Sequence, residues 1–189
     1  MANSIRIDRL TGAMGAEVFG VDLSKPLGNE ENKIVRDAFY EHIALFFPDQ
    51  NLSPKNISDF VSNFGEPAAH PLLKPIDPDF PFVHELRKEP EHERNYGGEW
   101  HMDLTFREKP SAANSLYARI VPEYGGDTLF ANLYQAYDAL SDGMKAAFAN
   151  VRAIHGISDN FKAEHKANPN RKTIELSGEE RKSAPLSLI

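Results

Sequence analysis

Alternating apolar and polar side chains predict a half-buried strand near the start of the chain, at residues 5–10. The spacing changes after Glu30, where Ile34, Val35, Ala38 and Phe39 recur at the interval of a helix face. Residues 43–47 are continuously apolar and stop at a proline, which predicts a short buried strand. The chain is therefore expected to begin with a strand, a helix and a second strand.

A second helix is predicted to start at Ser53, because serine is a common N-cap and Pro54 suits the first helical position. Gly65 is expected to end it, as glycine often does. The apolar face of this helix is expected to belong to the core, and it consists of Ile57, Phe60, Val61 and Phe64.

Short strands are also predicted at residues 82–86, 116–121, 128–130 and 152–157, with a helix at residues 135–140 between them. Ser141 is expected to cap a further helix, whose buried face would carry Met144, Ala147, Phe148 and Val151. Prolines break any long element between residues 66 and 99, and the polar loop that ends there is a candidate lid over a site.

Many short strands with a few flanking helices predict a mostly β fold of the α+β kind, a double-stranded β-helix or jelly roll like that of the cupins. A chain of 189 residues is long enough for one domain with its own core. Residues 1–157 are assigned to the N-terminal and central part of this domain. Residues 158–189 form a polar segment with little periodicity and no assignment.

The charge of the chain argues against two classes of partner. It has 21 basic and 28 acidic residues and a net charge of −7, which disfavours nucleic acid and anionic membranes. There is no cysteine, hence neither a disulfide scaffold nor a thiolate metal site. No signal peptide or membrane-spanning run is recognisable, so a cytoplasmic location is expected. Unpaired sheet edges would favour a homo-oligomer.

His101 and Asp103 are candidate metal ligands, because they lie two residues apart in an aromatic, β-prone setting after Trp100. On a strand their side chains would point the same way. A second histidine would complete the 2-His-1-carboxylate set of non-haem iron oxygenases. Imidazole binds metal only when neutral, so metal binding is expected to weaken in acid. A surface histidine near a carboxylate is the alternative, since such tripeptides are common.

Five segments of the sequence, in order and at similar spacing between about residues 5 and 155, resemble one protein family. They are GAEV at 15–18 with GVDL at 20–23, FGE at 64–66 followed by His70 and Pro71, WHMD at 100–103 with Thr105 and Phe106, GGDTLF at 125–130, and AYDALS at 136–141. This pattern is similar to the Fe(II)- and 2-oxoglutarate-dependent dioxygenases of the taurine dioxygenase and dichlorophenoxyacetate dioxygenase type. The resemblance implies a jelly roll with iron at one mouth of the barrel.

The resemblance also implies roles for individual residues. His101 and Asp103 would be iron ligands, and the Thr128 hydroxyl would help to bind the distal carboxylate of 2-oxoglutarate. His70 would contact the anionic head group of the substrate. Taken without the family, Thr128 could be an ordinary strand threonine and His70 a solvated loop histidine.

The family reaction would use O₂ and 2-oxoglutarate to hydroxylate a small organic anion, with succinate and CO₂ as co-products. A sulfonate, a sulfate ester or a carboxylate would suit such a site. Leu73 and Gly97 stand where taurine enzymes place a tyrosine and an asparagine, which counts against taurine itself. His42, His84 and His92 have no motif around them and are expected to be structural or solvent-exposed. His155 lies in a family-like strand and is expected to be structural.

The family takes its second iron histidine and its 2-oxoglutarate arginine from a C-terminal segment that the resemblance does not find. His165, Arg171 and Arg181 lie in sequence unlike it. The 189-residue chain is therefore expected to bind iron weakly and to turn over poorly or not at all. The alternatives are a catalytically inactive member of the fold that acts as a binding or interaction protein, and a cupin-like metal isomerase or hydrolase.

Overall fold

The computed structural model describes residues 4–70, 73–88, 98, 100–155 and 182–185. The chain divides into two compact units, of which one comprises residues 1–86 and 113–132, and the other residues 87–112 and 133–189. Among the described residues, no helix is both long enough and apolar enough to cross a lipid bilayer.

The first unit is built on a three-stranded mixed sheet. Strand β1 (Arg6–Arg9) pairs antiparallel with β2 (Ala16–Phe19), and β2 pairs parallel with β3 (Leu45–Phe46). In the central strand β2, Ala16 and Val18 are buried while their neighbours are half-buried, as the alternation of a sheet requires. The strands predicted at residues 5–10 and 43–47 are thus confirmed, the second at only two residues.

Helix α1 (Asn29–His42) connects the parallel strands β2 and β3. Its first turn is acidic, which suits the positive end of the helix dipole, and the Glu31 carboxylate accepts a hydrogen bond from the Gly28 N–H at 2.8 Å. Val35, Ala38 and His42 are buried. The helix predicted after Glu30 is confirmed, and His42 is structural.

Helix α2 (Pro54–Val61) starts where the sequence predicts. The Ser53 hydroxyl accepts from the Asn56 N–H at 3.2 Å, and the Asn56 carboxamide oxygen accepts from the Ser53 N–H at 2.9 Å. A 3₁₀ turn (Ser62–Phe64) follows and ends at Gly65, whose φ is 147°. Phe60 makes edge-to-face ring contacts with Phe47 and Phe64 and packs against the core, as expected, while the rest of the predicted face is half-buried.

Side-chain hydrogen bonds of Gln50 and Tyr117 hold the segment after β3 in place. The Gln50 carboxamide accepts from the Leu23 N–H at 2.9 Å and donates to the carbonyls of Val21 and Pro48. The Tyr117 hydroxyl accepts from the Leu52 N–H and donates to the Gln50 carbonyl, both at 3.2 Å. These bonds hold the loop after β3 against residues 21–23 of the core.

Two predicted strands do not form. Residues 116–121 and 128–130 have no ladder partner in the part of the chain that the structure describes, and Ile120 is 91% exposed. The expectation was wrong because β-prone side chains form a strand only where a neighbouring strand satisfies the backbone. Residues 82–86 were also predicted as a strand, but they form only an isolated β-bridge, between His84 and Pro75.

The second unit contains α3 (Leu133–Asp138), α4 (Asp142–Phe148) and a two-stranded antiparallel sheet. Ser141 caps α4 as predicted, because its hydroxyl accepts from the Met144 N–H at 3.3 Å. The buried face predicted for this helix was wrong, since Met144, Ala147 and Val151 are exposed and Phe148 is only half-buried. Strand β4 (Arg152–His155) confirms the last predicted strand and pairs with β5 (Lys182–Pro185). The candidate lid at residues 89–97 lies outside the described residues.

Gly20 is expected to be intolerant of a side chain. Its φ is +81°, and a Cβ there would lie 2.7 Å from the carbonyl oxygen of Ser4. Gly20→Ala should therefore lower the free energy of unfolding by about 1–3 kcal/mol. Gly12→Ala is the matched control, since a Cβ at Gly12 meets nothing within 4 Å. Urea unfolding of Gly20→Ala and Gly12→Ala compares their stabilities, and equal unfolding midpoints would contradict the expectation.

Asp22 is expected to titrate well below an ordinary aspartate. Its carboxylate accepts from the Lys25 ammonium at 2.6 Å and from the Ser24 hydroxyl and N–H, and these bonds lower its pKa from 3.8 to about 2. A lowered pKa stabilises the fold above about pH 4, and that stabilisation is lost as the pH falls towards 2. Carboxyl NMR should show the pKa of Asp22 rising in Lys25→Met but not in Lys55→Met, whose lysine pairs with Asp59 instead.

Candidate functional site

His101 and Asp103 lie side by side, although not on a strand. The Nε2 atom of His101 is 3.3 Å from the Oδ1 atom of Asp103, and each side chain is about half exposed. The chain is irregular at residues 101 and 102 and enters a turn at residue 103. The strand expected here was wrong, but the spatial pairing that it was meant to explain is present.

A turn centred on Leu104 positions the pair. The φ of Leu104 is +53°, in the left-handed region that leucine rarely occupies, and the Arg107 N–H donates to the Leu104 carbonyl at 3.0 Å. The Leu104 side chain is 8% exposed. Leu104 therefore combines a buried side chain with a strained backbone directly after the carboxylate of the pair.

The donor atoms of this pair suit a divalent metal ion. Imidazole nitrogen and carboxylate oxygen together serve non-haem iron, and neighbouring ligands with bonds of about 2.1 Å lie roughly 3 Å apart. The observed 3.3 Å is close to that separation. No group of three potential ligands occurs among the described residues, so the structure brings together two of the three protein ligands such a site needs.

The flanks of the pair are apolar and open. Trp100 is 70% exposed and Met102 is 51% exposed. Large apolar side chains next to a candidate metal site can contact the carbon skeleton of a bound molecule and limit the access of water. Nothing in the sequence beyond the neighbouring motif distinguishes these two residues from ordinary surface side chains.

His70 and Thr128 belong to the first unit, whereas His101 and Asp103 belong to the second. His70 is half-buried in a loop. Thr128 is exposed in an irregular segment that follows Gly125 and Gly126, whose φ values are +79° and +74°. The glycine turn predicted before Thr128 is therefore present, and the Thr128 side chain is exposed.

His84 is a residue that sequence reasoning placed only as structural or exposed. Its Nε2 atom accepts a hydrogen bond from the His70 N–H at 3.2 Å, and the two rings meet at 70° with centroids 6.0 Å apart. A separation of fourteen residues across a proline-rich loop gives no sequence signal for this contact. His155 is half-buried on β4, and the candidates His92, His165, Arg171 and Arg181 lie outside the described residues.

Comparison with known proteins gives consistent matches. The family model "Taurine catabolism dioxygenase TauD, TfdA family" matches residues 6–185, which reaches beyond the segments that carry the sequence resemblance. An alkylsulfatase of Acinetobacter baylyi is 34% identical over 152 residues, covering 80% of this chain and 47% of the relative. An alpha-ketoglutarate-dependent sulfate ester dioxygenase of Pseudomonas putida is 29% identical, with 82% of this chain and 50% of the relative covered. The chain thus spans about half the length of these curated relatives.

A solved structure extends the likeness to three dimensions. AAD-2 in complex with Mn(II) and N-oxalylglycine aligns with a TM-score of 0.65 and 26% identity, covering 96% of this chain and 62% of that one. The family and structural matches confirm the jelly-roll fold class expected from the sequence. The described residues form five short strands, four α-helices and one 3₁₀ turn.

Proposed function

Because the chain belongs to the taurine catabolism dioxygenase TauD, TfdA family, we propose that this protein is an Fe(II)- and 2-oxoglutarate-dependent dioxygenase. Its substrate is a small organic anion, and succinate and CO₂ are the co-products. The observation that carries the proposal is the 3.3 Å approach of His101 Nε2 to Asp103 Oδ1. Relatives that act on sulfate esters support the choice of substrate class.

In this function His101 and Asp103 hold the iron. His101 offers the lone pair of Nε2 and must be neutral to do so, while Asp103 supplies a negative charge that favours a divalent ion. The two donors already lie 3.3 Å apart, which lowers the cost of ordering them around a metal ion. Bound iron supplies the oxidising chemistry with O₂ and 2-oxoglutarate.

Thr128 is assigned to the distal carboxylate of 2-oxoglutarate. Its hydroxyl can donate one hydrogen bond to a carboxylate oxygen, and it is exposed after a two-glycine turn. The complex of AAD-2 with N-oxalylglycine supports a site for this cosubstrate, because N-oxalylglycine has the skeleton of 2-oxoglutarate with an NH in place of one CH₂.

His70 is assigned to the anionic head group of the substrate. An imidazole N–H donates to sulfonate, sulfate or carboxylate oxygens, and the half-buried position of His70 shields that bond from water. The net charge of −7 makes a small molecule a better partner than nucleic acid. The substrate is therefore expected to be a sulfonate, a sulfate ester or a carboxylate with a short carbon skeleton.

Succinate formation tests this function. The protein is incubated in air with Fe(II), 2-oxoglutarate and hexyl sulfate for hours, so that slow turnover is detected, and succinate is compared with a protein-free control. Wild type and Gly12→Ala, whose added Cβ meets nothing within 4 Å, should form succinate above the control, and His101→Ala should not. Succinate at the control level in all three proteins would overturn the proposal. Binding of hexyl sulfate without succinate would favour a binding protein, and its consumption without 2-oxoglutarate a metal hydrolase.

A further inference from the structure

The backbone of His70 is held by a second histidine. The His70 N–H donates to Nε2 of His84 at 3.2 Å across a loop of fourteen residues, and the contact is partly shielded from solvent. The two imidazoles also meet edge to face. One side chain therefore fixes both the main chain of His70 and one side of its ring.

The segment that carries His84 is itself closed on its own hydrogen bonds. His84 bridges to Pro75, and the Ile76 N–H donates to the Val83 carbonyl at 2.8 Å. Within the same loop, the Val83 N–H donates to the Phe80 carbonyl at 3.0 Å, and the Val83 side chain is buried. The backbone position of His84 is thus defined by bonds within residues 75–84, independently of His70.

The hydrogen bond to His70 fixes the protonation pattern of the His84 ring. An Nε2 atom that accepts must carry a lone pair, so the proton of the neutral ring lies on Nδ1. That Nδ1 atom is enclosed and has no hydrogen-bond partner among the described residues. A buried donor without an acceptor is costly. The observed orientation of the ring therefore leaves Nδ1 without an acceptor while Nε2 accepts from the His70 N–H.

We propose that His84 is a positioning residue for the substrate anion, acting through His70. This inference rests on the proposed role of His70 in binding the anion. By holding the His70 backbone and ring, His84 orients the imidazole that donates to the head group before substrate binds. Pre-orientation of this kind strengthens binding by lowering the cost of ordering the loop.

Two nearly volume-matched substitutions separate the hydrogen bond from simple packing. His84→Leu fills the space but has no acceptor, whereas the side-chain carbonyl oxygen introduced by His84→Gln can accept from the His70 N–H. His155→Ala, at a half-buried histidine of β4, serves as the control for loss of an imidazole elsewhere. His70→Ala tests the role of His70 itself.

Three quantities are measured on each 189-residue variant: amide hydrogen exchange at residue 70 by NMR, the dissociation constant of hexyl sulfate, and the affinity for Fe(II) under anaerobic conditions. His84→Leu should accelerate the exchange and weaken hexyl sulfate binding by about 10-fold each, the usual worth of one shielded hydrogen bond. His84→Gln should restore both to within roughly threefold of wild type. Fe(II) affinity should not change, and His155→Ala should resemble wild type throughout.

Unchanged exchange and binding in His84→Leu would overturn the proposal, and so would a His84→Gln variant as impaired as His84→Leu. Failure of the underlying function has a different signature. If His70→Ala binds hexyl sulfate as tightly as wild type, the anion role of His70 is wrong, and the positioning role falls with it even where the exchange data show the hydrogen bond.

Discussion

Alanine at His101 or at Asp103 is expected to weaken Fe(II) binding by at least about 100-fold. Loss of a residue that merely orients a metal ligand already costs about 10–100-fold in affinity, and loss of the ligand itself removes a donor atom outright. Both side chains are about half exposed, so their removal should leave the unfolding midpoint nearly unchanged. Anaerobic calorimetry gives the affinity, and urea unfolding gives the stability.

Met102→Ala is the matched control for this pair, because Met102 lies between the two residues and is itself half exposed. It should retain the wild-type affinity for Fe(II). Asp103→Asn adds a sharper comparison, since it keeps the shape of the side chain but removes the negative charge. Wild-type affinity in both alanine variants would rule out these residues as the metal site.

Gln50→Leu is expected to produce the largest loss of stability among single polar substitutions in the first unit. Its carboxamide satisfies the Leu23 N–H and the carbonyls of Val21 and Pro48 at distances of 2.9–3.1 Å. Leucine would leave these partly buried groups without their partner, at a cost of about 2–4 kcal/mol in the free energy of unfolding. Chemical unfolding followed by circular dichroism measures the change.

The neighbouring Asn51 provides the control for Gln50, because it is exposed. Asn51→Leu should shift the unfolding midpoint little. Gln50→Glu separates the accepted hydrogen bond from the two donated ones. A carboxylate can still accept from the Leu23 N–H but cannot donate to the carbonyls of Val21 and Pro48. A Gln50→Leu variant as stable as Asn51→Leu would show that water replaces these bonds without cost.

Helices were the predictable part of this fold, because their signals are local. Ser53 and Pro54 start α2 by capping and by a preset φ, and Ser141 caps α4 in the same way. The apolar spacing before His42 likewise places the buried face of α1. None of these features depends on a distant part of the chain.

Strands were less predictable, because a strand requires a partner that its own residues do not specify. The apolar residues 116–121 look like a strand but meet no ladder among the described residues, and Leu116 and Ile120 are strongly exposed. Conversely, β5 (Lys182–Pro185) lies in a polar segment without strand periodicity, yet pairs with β4. Pairing, rather than propensity, determined both outcomes.

The candidate site also combines features that could be predicted from the sequence with features that could not. Spacing, the aromatic setting and the family motif together singled out His101 and Asp103, and the structure places them 3.3 Å apart next to a turn that no strand pattern predicts. The contact of His84 with His70 depends on a loop that is closed by backbone bonds within residues 75–84, which no sequence pattern marks. The chemistry of a short motif could be predicted from its residue types, whereas the residues that orient it could not.

The Tyr117 hydroxyl has a consequence for the order of folding. It bonds to groups 65 and 67 residues earlier in the chain, whereas the first sheet, α1 and α2 are assembled within residues 6–64. Closing the longer loop costs more chain entropy, so the early segment should condense first and Tyr117 should dock afterwards. Tyr117→Phe is therefore expected to accelerate unfolding while leaving the refolding rate almost unchanged, as stopped-flow measurements can show.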